Sequence, residues 1–159
     1  MRILGIDPGS RITGFGIIDI EGQRRVHVAS GAIHLARQYE TNIPKRLAML
    51  HRELCNVIEK YQPDAGSVER VFMARNPDSA LKLGQGRGVI LAALAINDLP
   101  ITEYSAREIK QSIAGGGAAA KEQVQHMVTV LLGLKAVPQA DEADALAAAL
   151  CHGHHCQGV

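Results

Sequence analysis

Four acidic residues stand where patterning for solubility would not put them. Asp7 ends the short apolar run Arg2 to Ile6 and is followed by Pro8-Gly9-Ser10, Glu69 lies within the apolar stretch Ala65 to Phe72, and Asp141 and Asp144 open an alanine-rich segment. At about 3.6 residues per turn, a spacing of three places Asp141 and Asp144 on one helix face, while Glu142 points about 100° away. Carboxylates gathered at one place repel each other and rise in pKa unless a cation neutralises them. An all-oxygen donor set suits Mg²⁺, or Mn²⁺ in its place, and such ions keep water and phosphate oxygens in their shells. Two ions flanking a phosphate can support an in-line displacement, so phosphate chemistry is the chemistry these residues imply. Taken singly, Asp7 also suits a turn, and Asp141 with Asp144 also suits a helix start. Glu69 in its apolar setting is the hardest to read as structural.

The elements that must position these acids are legible in outline. Arg2 to Ile6 reads as a strand stopped by Pro8, which sets Asp7 at its C-terminal end. Ile12 to Ile20 and Arg25 to Leu35 are two further strands joined by a turn at Glu21-Gly22-Gln23, an antiparallel meander. Leu47, Leu50, Leu54, Val57 and Ile58 recur at helical spacing between Pro44 and Pro63. Ala65 to Phe72 reads as a buried strand, and a helix follows from Asn76-Pro77-Asp78 to about Asn97. Ile101 to Ser105 is a fifth strand. Helices are predicted over Ala106 to Ile113, Ala119 to Leu132 and about Gln139 to Cys151. The order describes an α/β domain, a mixed sheet covered by helices, with its first three strands antiparallel.

Composition narrows the field. A chain of 159 residues, 47% hydrophobic and 21% charged, is a globular chain of one-domain size. Its net charge of +1 neither demands nor forbids a polyanionic partner. Distribution is more telling: Arg70, Arg75, Lys82 and Arg87 fall in one stretch, whereas the chain after Lys135 carries acids and no Lys or Arg. Three unpaired-looking cysteines, Cys55, Cys151 and Cys156, fit a reducing compartment. With no leader pattern and no uncharged apolar run of about 18 residues, the expectation is a cytoplasmic protein without a membrane span.

Four segments together resemble the RuvC family of Holliday-junction resolvases. They are Ile3-Leu4-Gly5-Ile6-Asp7-Pro8-Gly9-Ser10, Val68-Glu69-Arg70-Val71-Phe72-Met73-Ala74, Asp78-Ser79-Ala80-Leu81-Lys82-Leu83-Gly84-Gln85, and Gln139-Ala140-Asp141 through Asp144-Ala145-Leu146-Ala147. The resemblance runs in order through nearly the whole chain. It implies a ribonuclease-H-like fold over residues 1–152, a five-stranded mixed sheet flanked by helices. It also implies a homodimer that makes paired symmetrical nicks in four-way DNA with Mg²⁺, two ions per site, at short thymine-containing sequences. By motif position Asp7, Glu69, Asp141 and Asp144 would be the catalytic metal ligands, and the branch-migration proteins RuvA and RuvB the partners. Glu142 stands where the family often has a small neutral residue, and Gly86 where Ala is common; neither removes a ligand.

Lys110 and Lys121 flank Gly115-Gly116-Gly117, and the resemblance places both near the active site; the glycine backbone could also offer N–H groups to a phosphate. Phe72 reads by type alone as a core residue at a strand end. Exposed beside Arg70 and Arg75, it would instead suit a wedge stacking on an unpaired base, which is the reading the resemblance favours. Arg75, Lys82 and Arg87 are candidates for contacts to DNA phosphates. Val89 to Ile96 is apolar around more of its circumference than one core face needs, which predicts a partner subunit on the second face. Cys151-His152-Gly153-His154-His155-Cys156 lacks the scaffold of a structural zinc site and is predicted to fray, with 153–159 a short flexible tail able to take up Zn²⁺ or Ni²⁺ only adventitiously. Three other readings stay open. An actin-like ATPase would need a second domain, a junction-binding protein without activity would have no use for four acids, and a ribosomal-RNA-processing nuclease shares the first motif.

Overall fold

A computed structural model describes residues 1–35, 39, 41–71 and 76–158, with side chains through 156. Strands β1 (Arg2–Asp7), β2 (Ile12–Glu21) and β3 (Arg24–His34) form the antiparallel meander, followed by helix α1 (Ile43–Tyr61), strand β4 (Ala65–Arg70), helix α2 (Pro77–Ile96), strand β5 (Ile101–Ser105) and helices α3 (Ala106–Ala114), α4 (Lys121–Leu131) and α5 (Ala140–Gly158). The sheet order is β3-β2-β1-β4-β5, with β4 parallel to both β1 and β5.

Local chemistry sets the boundaries. Asn42 caps α1 by accepting from the Lys45 N–H, with Pro44 in the first turn, and Asn76 caps α2 in the same way through Ser79. Ser105 and Glu108 form a reciprocal capping box at α3, and Gly115, at φ 73°, closes that helix in the left-handed region.

Alternation along the strands divides the core in two. Leu4, Ile6, Ile17, Ile33 and Val68 face α1 and α2, meeting Leu50, Leu54, Ile58, Ile90, Ala93 and Leu94. Ile3, Ile18, Ile20 and Tyr104 face the other way, toward α3, α4 and α5. By the same period of two, Gly5, Asp7, Ser67 and Glu69 also point to the α5 side. α5 is enclosed there: Ala143, Ala145, Leu146, Ala147, Ala148, Ala149, Leu150 and Cys151 are all essentially without exposed surface.

Its proximity depends on glycine. Cβ atoms added to Gly5 and Gly14 would overlap the carbonyl oxygens of Ala145 and Asp141, and one on Gly16 would sit 2.7 Å from a Leu146 methyl. The β1–β2 register pairs Asp7 with Gly14 and Gly5 with Gly16, so the glycines form one smooth patch beside Asp7. Ser67 adds a buried hydrogen bond, its Oγ donating to the Ala148 carbonyl at 2.7 Å.

One expectation needs correction. The last helix does not end near Cys151 with a tail from 153; α5 continues to Gly158, with Cys151, His152 and Gly153 buried. Gly153 extends the helix because it lies against Ile20 and Ile3, where any Cβ would collide with Ile20 at 2.7 Å. In the glycine joint, two of the three backbone N–H groups are engaged within the chain. The Gly115 N–H donates to the Gln111 carbonyl at 3.0 Å and the Gly117 N–H to Gln111 Oε1 at 3.2 Å.

α2 is, among the described residues, the one helix long and apolar enough by composition to cross a membrane. It packs instead on the sheet through Ile90, Ala93 and Leu94, and its surplus apolar surface, including Leu81 and Ile96, faces outward.

Because the atoms under Gly14 are helix backbone that cannot rotate away, Gly14→Ala is expected to cost about 1–3 kcal/mol. Thermal unfolding followed by circular dichroism should show a midpoint about 3–10 °C lower. Gly116→Ala, with open space around it, should change little; equal effects at both positions would contradict the close seat of α5.

Candidate active site

Asp7 and Glu69 reach the same place because β1 and β4 are parallel neighbours. Their last paired residues are Ile6 and Val68, and the next residue on each strand turns its side chain to the α5 face. α5 runs antiparallel to β1, with Asp141 over Gly14 and Ala145 over Gly5, which brings its first turn to the end of β1. Asp144 thereby meets Asp7 and Glu69, and all three line one cleft of about 190 Å³ together with Lys110, Lys121, Ala106, Ile109 and Val124.

The electrostatics are those of acids held together. Burial pushes the Asp7 carboxyl up from its ordinary 3.8 to about 8, with further contributions from the charges of Glu69, Asp144 and Asp141. Glu69 is also raised, first by burial and then by Asp144, and both lysines pull it back. Lys121 is the nearest counter-charge. Its Nζ donates to Asp144 Oδ2 at 3.0 Å, and this bond is the main reason its own pKa is raised.

The sequence-predicted residues are therefore not all equivalent. Asp7, Glu69, Asp144, Lys110 and Lys121 line the cleft. Asp141 lies one turn earlier on α5 and acts on Asp7 through its charge without lining the cleft. Lys82 belongs to the α2 layer and pairs with Asp78 at 2.6 Å one turn away in the same helix. Arg87, also on α2, is held by Glu103, its Nε donating at 3.0 Å. Phe72 and Arg75 lie outside the described residues. Sequence reasoning missed the partner of Glu142: Ser30 Oγ on β3 donates to its Oε2 at 3.3 Å and approaches His27 Nε2 at 3.2 Å. The odd identity of residue 142 was the available signal, since an acid turned away from the site needs a donor elsewhere.

Among the described residues no three His, Cys, Asp or Glu side chains already stand at metal-cage spacing. The donor set nonetheless fits a hard divalent cation. It is all carboxylate oxygen, and burial with mutual repulsion raises both Asp7 and Glu69, an imbalance that added positive charge relieves.

A mixed five-stranded sheet in this order, with α5 laid across it, defines the ribonuclease-H-like class. Residues 3–152 match the family described as crossover junction endodeoxyribonuclease RuvC. The chain is 50% identical to the protein of that name from Shewanella frigidimarina and 52% identical to that from Pseudoalteromonas translucida, covering 99% of this chain and 89% and 88% of those relatives. Its fold superposes on Thermus thermophilus RuvC in complex with a Holliday junction substrate with a TM-score of 0.91, at 32% identity over 99% of this chain and 95% of that one. The chain belongs to the RuvC family.

The raised Asp7 has a consequence for the metal-free protein. Between the ordinary carboxyl value and about pH 8 the folded state holds a proton that the unfolded state has lost, so stability falls as pH rises through that window. Asp7→Asn in EDTA should therefore unfold at a higher temperature than the parent chain. The advantage should widen from about pH 5 to pH 8 and level off above. A difference that is constant with pH, or a loss, would contradict the assignment.

Proposed function

We propose that this chain resolves four-way DNA junctions by hydrolysing one phosphodiester bond in each of two symmetry-related strands. The observation that carries this reading is the convergence of Asp7, Glu69 and Asp144, from three separate elements, on one cleft that also holds two lysines. Asp7, Glu69, Asp141 and Asp144 would hold the divalent ions, Mg²⁺ with Mn²⁺ as a substitute, two per site. When bound, such ions stabilise the attacking and leaving oxygens of an in-line displacement.

The remaining work falls to the chain itself. Lys121 and Lys110 draw the scissile phosphate into the cleft and orient it, and Lys121 keeps Asp144 in place when no phosphate is present. Phe72, three residues after Glu69, would stack on a base exposed at the junction, and Arg75 and Lys82 would hold flanking phosphates.

Paired nicks call for two sites related by twofold symmetry. The outward apolar face of α2, with Leu81 64% and Ile96 70% exposed, is where a second copy would bind to form the homodimer. The enzyme would act in the cytoplasm, on junctions presented by RuvA and RuvB, as a single nuclease domain whose last helix, α5, runs to Gly158. Relatives over almost the full chain support this reading.

The test is a denaturing gel of an end-labelled four-way junction and its matched duplex. With Mg²⁺ the parent chain should nick the junction alone, at paired positions. Asp7→Asn and Glu69→Gln should lose about 10²–10³-fold or more in rate while still binding the junction, and Lys121→Ala about tenfold. Tight junction binding without a nick under any metal would show a binding module instead.

A further inference from the structure

The far end of α5 carries a cluster for which the nuclease chemistry has no use. Cys151, His152, His155 and Cys156 form two His/Cys pairs four residues apart, and residues at that spacing share a helix face. The first pair is committed to packing. Cys151 is fully buried with its thiol 3.9 Å from the Glu108 carbonyl, and His155 Nδ1 is 2.8 Å from the Cys151 carbonyl oxygen.

The second pair is differently placed. His152 Nε2 lies 3.5 Å from Cys156 Sγ, with Cys156 exposed to solvent and His152 nearly buried. The other ring nitrogen, Nδ1, is 2.9 Å from the phenol oxygen of Tyr104 on β5. With Nδ1–H donated to that oxygen, Nε2 turns its lone pair toward the thiol. A fixed partner on the far nitrogen is how metal-ligating histidines are oriented. The spacing also fits: zinc bonds of about 2.0–2.1 Å to nitrogen and about 2.3 Å to sulfur make a 3.5 Å separation subtend about 105–109°, close to the tetrahedral angle.

A pair on α1 with the same sequence spacing provides contrast. Cys55 Sγ stands 3.8 Å from His51 Nδ1 and 3.9 Å from Nε2, so the ring lies side-on to the sulfur and aims neither nitrogen at it. Sequence spacing alone therefore does not make the site; the Tyr104 anchor distinguishes the two.

We infer that His152 Nε2 and Cys156 Sγ form a second metal site, one that takes a thiophilic ion such as Zn²⁺, with the thiol proton released to solvent and water completing the shell. No three candidate ligands converge among the described residues, so two positions come from the chain and the rest stay open. Twelve residues of helix separate Cys156 from Asp144, about 18 Å, and soft and hard donors select different ions. The ion at this end would tie α5 to β5 through the Tyr104 and His152 contact, independently of the carboxylate cleft.

Cobalt(II) is a suitable probe for the full-length chain in excess Mg²⁺, which keeps the carboxylates occupied. One equivalent should produce a near-ultraviolet thiolate-to-cobalt charge-transfer band that Zn²⁺ then displaces. Cys156→Ser, at an exposed position where folding can be checked by circular dichroism, should abolish the band and weaken Zn²⁺ binding by calorimetry at least tenfold. Cys55→Ser should leave both unchanged. Absence of the band in the parent chain, its survival in Cys156→Ser, or its loss in Cys55→Ser would overturn the assignment.

Discussion

The position of the acids depends on how closely α5 approaches the sheet. Three strand residues without side chains, Gly5, Gly14 and Gly16, face α5 at Ala145, Asp141 and Leu146, so strand meets helix backbone at the first two and a leucine methyl fits over the third. Ordinary side chains would hold a helix about 10 Å from a sheet and would leave its first turn too far out for Asp144 to share a cleft with Asp7 and Glu69. The same seat explains why α5 is buried on its other side by α3 and α4, since a helix sunk this deep must be covered. Lys121 then arrives on α4 beside the acids as part of that cover.

Such closeness has an electrostatic cost, and the site is organised around it. Asp7 rises to about 8 because burial and three neighbouring carboxylates all oppose its ionisation. Lys121 offsets part of this, through its charge on Asp7 and its direct bond to Asp144. The residual imbalance is one that a divalent cation in the cleft would relieve. The α1 and α2 layer contributes differently, by filling the opposite core and by leaving an apolar outer surface that includes Leu81 and Ile96.

Much of this was legible from residue types. The strand ending in Asp7-Pro8, the apolar frame of Glu69 and the three-residue spacing of Asp141 and Asp144 located the acids before any fold was available, and the turn and capping residues placed the elements within a few positions. What escaped was set by tertiary contact. The segment from 153 was expected to fray, but Gly153 is a close approach to Ile20, so the helix runs on and orders the Cys/His segment. Helical spacing put Asp141 and Asp144 on one face, yet only Asp144 lines the cleft, because the first turn of α5 is already passing over Gly14. The glycines at 5, 14 and 16, two residues apart along adjoining strands, were the unread sign that something would lie flat against them.

The most direct measurement is a ¹³C NMR titration of the Asp7 carboxyl without divalent metal, in the parent chain and in Gly14→Ala. If the seat of α5 gathers the acids as described, Asp7 titrates near 8 in the parent and lower in the variant, where the added methyl lifts the helix. Titration in the ordinary carboxylate range in the parent chain, or a value unmoved by Gly14→Ala, would contradict the account.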